Sequence, residues 1–440
     1  VTQVSATFHT TGKVCGRQRE VEHLLLRGLQ GKGRKAVASL AVNALAAVNR
    51  RRERTAPPPS AEQVKILLLH AYGMGGTIRT VYNLAGYLAK DHDVEIVSVL
   101  REAEESFFPV PPGVRISFLD DRREPPTGLR RLLARPSRLI PKEEAAYHRF
   151  TLYTDLKLAR YLRSLRTGVL IATRPGLNLA AAALTPPGVI TIGQEHVALQ
   201  GHAETIQAMI KRRYPKLDAL VALTKADLRD YRALLRKKPR RLTRIPNAVP
   251  PMDGDRADLS AKTVITVGRM TKIKGFHRLL DAWKLVTEVH PDWNLRIYGA
   301  GPQQENLQEQ IESLGIGATA TLPGSTDDVG SELAKASIFV MSSRHEGFPM
   351  TLLEAWGKGL AVVSFNSPHG PKEMITHEHD GLLVKPRTVE NLANAIIRVI
   401  EDEPYRRHLA ANAVRTAETY DLDAVGAQWD ALFDELVAPR

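Results

Sequence analysis

The stretch VKILLLHAYGMGGTIRTVYNLAGYLAKDHDVEIVSVL, residues 64–100, decides the fold class. VKILLLH (Val64–His70) is a short, branched, apolar run, and it ends in a glycine turn, AYGMGG. From Thr77 to Lys90 the apolar residues Ile78, Val81, Leu84, Ala85 and Leu88 recur at helical spacing. VEIVSVL follows as a second buried strand. Strand, glycine turn, helix, strand is a βαβ opening and predicts an α/β protein. GVLIAT, GVITIG and LDALVAL continue the pattern with the unbroken apolar character of strands covered on both faces.

RIPNAVPPMDGDRADLS (Arg244–Ser260) interrupts this series with prolines. A second α/β set follows: KTVITVGRM, WNLRIYGAG, ATLPG, ASIFVMSS, LAVVSFN and GLLVKP, separated by helices such as Phe276–Val289 and Gln303–Leu314. The 440 residues exceed what one core usually serves. The expected division has a basic extension and linker over 1–60, a first Rossmann-like domain over 61–248 and a second over 249–420. A C-terminal helix over 421–440 is expected to pack back on the first domain. Two doubly wound domains facing across a cleft place their ligand at the C-terminal edges of the sheets.

Composition narrows the class. Hydrophobic residues make up 43% and charged residues 25%, a soluble globular balance. The net charge is +13, and residues 1–58 carry eleven Lys or Arg against three Glu. That favours anionic partners, whether phosphates, acidic lipid or nucleic acid, without choosing among them. Aromatics are only 6%, with no aromatic–basic platform, which argues against nucleic acid. No run of 18 apolar residues is present, so a cytoplasmic protein is expected, with contact at the inner face of a membrane as an extension of that reading. AVASLAVNALAAVN (Ala36–Asn49) reads as a packed helix, a membrane-surface segment or, least well, a signal peptide. Cys15, the one cysteine, excludes an intrachain disulfide scaffold.

Four stretches can carry chemistry. Gly73, Gly75 and Gly76 let a ligand approach backbone beside a helix start, as an anion site or simply as a tight βα turn. VGRMTKIKGF places Arg269, Lys272 and Lys274 after a strand; Arg269 offers a planar fork and Lys274 a mobile charge to a diphosphate, unless they are plain surface charges. In SRHEGFPMTLLEAWGKG (Ser343–Gly359), Glu346 lies in a strand-exit loop, Pro349 opens a helix and Glu354 sits about one turn in. Two carboxylates so spaced suit hydroxyls at two points on one ligand. In TIGQEHVALQ, Glu195 and His196 follow a first-domain strand, and functional and structural readings both stand. HEHDG (His377–Gly381) lacks HExxH spacing, so no metal is expected.

Together these pieces resemble the retaining glycosyltransferases of the GT-B fold, the GT4 group. The pieces are GMGGTIRTVYNLAGYL, QEH, IPNAV, VGRMTKIKGF, IYGAGPQQENL, SSRHEGFPMTLLEAWGKGLAVVSF and GPKEMI with DGLLVKP, from Val64 to Val437. The resemblance implies that Arg269 and Lys274 hold a donor diphosphate beside Gly75 and Gly76. It implies that Glu346 faces the donor sugar, that Glu354 receives ribose hydroxyls and that His196 lies near the transferred sugar. Gly370, Pro371 and Lys372 match the loop that meets the donor's sugar and phosphates, with Glu373 the acid near its diphosphate end. The implied reaction uses no cofactor and no metal. A hexose or N-acetylhexosamine moves from a nucleotide-diphosphate sugar, UDP-linked, to a hydroxyl acceptor such as a surface glycan, wall polymer or lipid-linked intermediate. The rival readings are a GT-B epimerase or phosphorylase and a basic nucleic-acid-binding protein. The basic stretches Arg122–Arg138, Lys211–Lys216 and Arg236–Arg244 face an anionic partner or serve solubility alone.

Overall fold

A computed structural model describes residues 57–438. Cys15 and the run Ala36–Asn49 lie outside the described residues. The first sheet has seven parallel strands: β1 (Gln63–His70), β2 (Asp93–Arg101), β3 (Arg115–Asp121), β4 (Val169–Ala172), β5 (Ile190–Glu195), β6 (Ala219–Ala222) and β7 (Arg241–Arg244). Their order is β3-β2-β1-β4-β5-β6-β7.

β1 shows why an unbroken apolar run becomes a central strand. Val64, Ile66 and Leu68 point to one core, shared with helix Gly76–Leu88. Leu67 and Leu69 point to the opposite core, shared with helices Leu152–Ser164 and Pro175–Leu184. Both faces are covered, so both sets of alternating side chains must be apolar.

The second sheet has six parallel strands: β8 (Thr263–Val267), β9 (Asn294–Tyr298), β10 (Ala320–Gly324), β11 (Ile338–Met341), β12 (Ala361–Phe365) and β13 (Leu382–Val384). Their order is β10-β9-β8-β11-β12-β13. Strand order therefore reverses direction between β1 and β4 in the first sheet and between β8 and β11 in the second. Those reversals open crevices at the strands' C-terminal ends.

The last helix, Leu422–Val437, puts Val425, Trp429, Leu432, Phe433 and Leu436 into the core of the first domain. Its Gly426 lies directly over Tyr87, where an added Cβ would come within 2.2 Å of the ring. Tyr87 Oη donates to Asp430 at 2.6 Å on the same contact.

Two strands escape the sequence pattern, and both are sheet edges. β3 is only half-buried, and β7 lies inside a stretch read above as surface charge. Within Arg236–Arg244, Arg236, Lys237 and Lys238 are exposed, but Arg240 and Arg241 are engaged rather than free. Arg240 donates to the carbonyls of Leu436 and Ala438 at 2.9 and 3.0 Å, and Arg241 pairs with Glu435 at 2.7 Å. Arg240 satisfies the exposed carbonyl end of the last helix, where its dipole favours positive charge, while Arg241 meets a side-chain carboxylate there. Among the described residues, no helix is long and apolar enough to cross a membrane.

Candidate active site

The loop after β1 leads straight into helix Gly76–Leu88, whose first turn has no side-chain cap. Helix Met350–Gly357 of the second domain is likewise uncapped by a side chain, with Pro349 at its N-cap position. An added Cβ on Gly76 would lie 3.3 Å from Met350 Cγ, so the two helix starts meet across the domain boundary. Each brings N–H groups without intrahelical partners and the positive end of a helix dipole.

Between them lies a cavity of about 380 Å³. Met74–Thr77 and Arg79 line it from the first domain, and Arg269, Lys274, Glu346, Pro349–Thr351 and Glu354 from the second. The topology explains the convergence. Arg269 and Lys274 follow β8, and Glu346 follows β11, the two strands that flank the second crevice. Gly275 makes this close approach possible: its φ is 67°, and an added Cβ would stand 2.3 Å from Ser342 O.

Lys274 Nζ donates to Glu346 Oε1 at 2.7 Å, and Ser343 Oγ donates to the same oxygen at 2.6 Å. Oε2 is left without a protein partner among the described residues in the cavity that Glu346 lines. Glu354 is buried, and burial raises its carboxyl above the ordinary carboxylate range, while Arg79 and Lys274 pull it back. Arg79 Nε stands 3.5 Å from Glu354 Oε1. Arg79 was not among the expected site residues. Its helix position, one turn beyond Gly76 beside the apolar stripe, is the only local signal. Asn247, from IPNAV, also lines the cavity, with a buried Oδ1 that has no partner among the described residues.

His196 follows β5 and is common to this cavity and to a second, of about 320 Å³, on the first domain. The two cavities also share Gly75, Gly76 and Arg269. His196 is half-buried as a residue, but its Nε2 is shielded from solvent and has no partner among the described residues. Burial pushes its imidazole down to about 4, so the ring is neutral near pH 7.

The structure thus brings Gly75, Gly76, His196, Arg269, Lys274, Glu346 and Glu354 to one place. Gly370, Pro371 and Lys372 do not line that cavity. Gly370 and Pro371 are buried behind the Glu346 loop, where an added Cβ on Gly370 would sit 2.5 Å from Pro349 Cδ, and Lys372 is exposed. Glu373 turns the other way. It accepts the backbone N–H groups of Lys225 and Ala226 at 2.7 and 3.1 Å, capping a first-domain helix across the domain boundary. In His377–Gly381, Asp380 accepts from Thr376 N and Thr416 Oγ1 at 2.8 Å each, which makes that segment a structural turn. Among the described residues, Asp227, Asp230 and His369 form the one group with cation-ligand spacing, and they line neither cavity. Asp227 and Asp230 already accept from Leu199 N and Gln200 Nε2 at 3.0 Å.

Residues 74–252 match the family model for Glycosyltransferase Family 4, and residues 254–416 match that for glycosyl transferases group 1. The chain is 38% identical over 392 residues to an exopolysaccharide phosphotransferase of Streptomyces coelicolor, a match covering 86% of this chain but 41% of that protein. It is 24% identical to an uncharacterized glycosyltransferase of Haemophilus influenzae, covering 84% of this chain and 99% of the relative. The chain therefore spans well under half the length of the Streptomyces protein. Among solved structures, it superposes on S. aureus TarM in complex with fondaparinux, α-GlcNAc-glycerol and UDP with a TM-score of 0.69 at 15% identity, covering 84% of this chain and 99% of that one. Anabaena HepE in complex with UDP and glucose gives 0.63 at 17%, with coverage of 84% and 99%. At such identity these two likenesses establish the fold: two Rossmann-like domains across a cleft.

Proposed function

We propose, since the chain belongs to the GT-B glycosyltransferases of the GT4 group, that it moves a hexosyl or N-acetylhexosaminyl group from a UDP sugar to a hydroxyl acceptor with retained anomeric configuration. The observation that carries this reading is the junction of two uncapped helix starts with Arg269 and Lys274 in one cavity that also holds Glu354.

The diphosphate occupies that junction. Glycosidic cleavage leaves negative charge on it, and Arg269, Lys274 and the helix N–H groups stabilise that charge in place. Glu354 accepts the ribose hydroxyls, and Glu346 Oε2 accepts hydroxyls of the donor sugar. The sugar develops oxocarbenium character. The departing phosphate stays on its original face, takes the acceptor hydroxyl's proton and lets the new bond form on that same face. No enzyme nucleophile is required, so Glu346 and Glu354 are not the flanking carboxyl pair of a glycosidase. His196, neutral and between the two cavities, borders the sugar without adding charge.

A peripheral contact with an anionic membrane or polymer fits the segment 128–138. Leu129 and Leu132 are 54% and 66% exposed there, and exposed Arg131, Arg135 and Arg138 form no ion pair among the described residues. Binding to anionic vesicles should weaken with added salt; binding that ignores salt refutes the electrostatic contact.

The central test is a panel of nucleotide sugars followed by NMR for donor consumption and product configuration. Consumption of a UDP sugar with a retained anomer supports the reading. An inverted product refutes the mechanism, and consumption of no nucleotide sugar refutes the activity.

A further inference from the structure

Helix Lys225–Leu234 of the first domain starts with N–H groups that its own turns cannot pair. Thr224, its N-cap, takes one: Asp227 N donates to Thr224 Oγ1 at 3.0 Å. Two more, Lys225 N and Ala226 N, donate to Glu373 Oε1 and Oε2 at 2.7 and 3.1 Å. Glu373 belongs to the second domain, on the short helix Gly370–Met374. Arg244, which ends β7, stands with Nε 3.5 Å from Glu373 Oε1. A carboxylate suits this position because it accepts two N–H groups at once and meets the positive end of the helix dipole. The helix start is therefore complete only while the two domains stand together.

The segment that carries Glu373 also backs the Glu346 loop. Glu346 and His369 form a parallel β-bridge, and Ser367 Oγ donates to the carbonyl of Ser343. An added Cβ on Gly370 would stand 2.9 Å from Gly347 O, so no slack separates the two segments. The loop's other side rests on the first domain, where an added Cβ on Gly347 would lie 2.9 Å from His196 O. A few residues on, Leu199 N donates to Asp227 Oδ1 at 3.0 Å, back on the Lys225 helix. These contacts close a ring that crosses the domain boundary twice, at Glu373 and at Gly347. Glu346 and His196, both carried by that ring, line the donor cavity.

We infer that Glu373 is a positioning residue: its grip on the start of helix Lys225–Leu234 fixes the Glu346 loop against the exit of β5 and so sets Glu346 relative to His196. This inference rests on the glycosyltransferase reading for its effect on turnover. Glu373 lines neither cavity and touches no donor atom. Arg269, Lys274 and Glu354 hold the nucleotide from the second domain, so loosening the ring should disturb the sugar end and spare the nucleotide end.

The test pairs Glu373→Gln with Thr224→Ala. The first keeps the side chain's shape but leaves one acceptor oxygen for two N–H groups. The second strips the same helix of its own first-domain cap. Hydrogen exchange on the full chain without ligand should quicken at least threefold over 225–227 in both variants, but over 343–348 in Glu373→Gln alone. Glu373→Gln should also lower kcat with a UDP sugar at least fivefold while the UDP Kd stays within twofold, and Thr224→Ala should keep kcat within twofold. Exchange over 343–348 at the parent rate in Glu373→Gln overturns the inference. Equal acceleration there in both variants assigns Glu373 a merely structural role and also overturns it, as does a smaller loss of kcat or a UDP Kd that rises as far as kcat falls. If Glu373→Gln does not fold, Glu373→Asp, one methylene shorter, is read by the same criteria. A parent that consumes no nucleotide sugar refutes the donor reading, and the exchange rates, measured without donor, then decide this inference by themselves.

Discussion

Glu354→Gln separates binding from folding at the donor site. Glu354 is buried, with burial opposing its charged form and Arg79 Nε 3.5 Å away. The amide has the same shape and removes the buried charge, but it leaves Arg79 without its counter-charge. These effects oppose each other, so the unliganded protein should change stability by no more than about 1 kcal/mol. The bound state has no such compensation. A carboxylate accepting ribose hydroxyls makes charge-assisted bonds of about 1.5–3 kcal/mol each. Loss of about 2 kcal/mol raises the UDP Kd roughly 30-fold. At a UDP concentration 100 times the parent Kd, ligand stabilisation is about 2.7 kcal/mol, and in the variant it drops to about 0.9. Calorimetric titration with UDP and with 2′,3′-dideoxy-UDP completes a cycle. The variant should lose affinity for UDP and almost none for the dideoxy ligand. A Kd for UDP within twofold of the parent, or equal losses for both ligands, refutes the ribose role.

Glu346→Gln should cut turnover strongly while the fold and UDP affinity persist; turnover within about twofold of the parent defeats the donor-sugar role. His196 has a folded value of about 4 against 6.5 unfolded, so below pH 6.5 the unfolded chain binds more protons. Stability is full above pH 6.5 and is lost as pH falls towards 4, by about 2 kcal/mol between pH 7 and 5 from this group alone; urea unfolding at both pH values should show the slope shrink in His196→Gln. Trp429→Ala empties a fully buried site in the first-domain core and should cost about 3–5 kcal/mol in the first domain's transition, leaving the second domain's transition in place; a loss confined to the second domain contradicts the helix's assignment.

Legibility followed burial. β1, β8, β11 and β12 are buried on both faces, and short, mainly apolar runs bounded by glycine or polar loops announce them. Helix Phe276–Val289 was readable to its ends because Gly275 opens it and its apolar spacing marks one face. β3 and β7 pair on one side only and carry half-polar residues, so neither announces itself. At the site, Arg269, Lys274, Glu346 and Glu354 were legible because each lies in a local strand-exit or helix-start pattern. Arg79 and Asn247 were not, because nothing near them in sequence shows that they face the other domain.

By itself the sequence determined the α/β class, the two sheets and the identity of the charged groups at the strand exits, since periodicity and glycine placement act within a few residues. Only the tertiary structure decided which charges are free. It ties Arg240 and Arg241 to the last helix, turns Glu373 towards the Lys225 helix start, pairs Lys274 with Glu346 and sets Arg79 against Glu354. Those pairings join residues far apart in the chain, so they depend on strand order and domain packing, which no local pattern records.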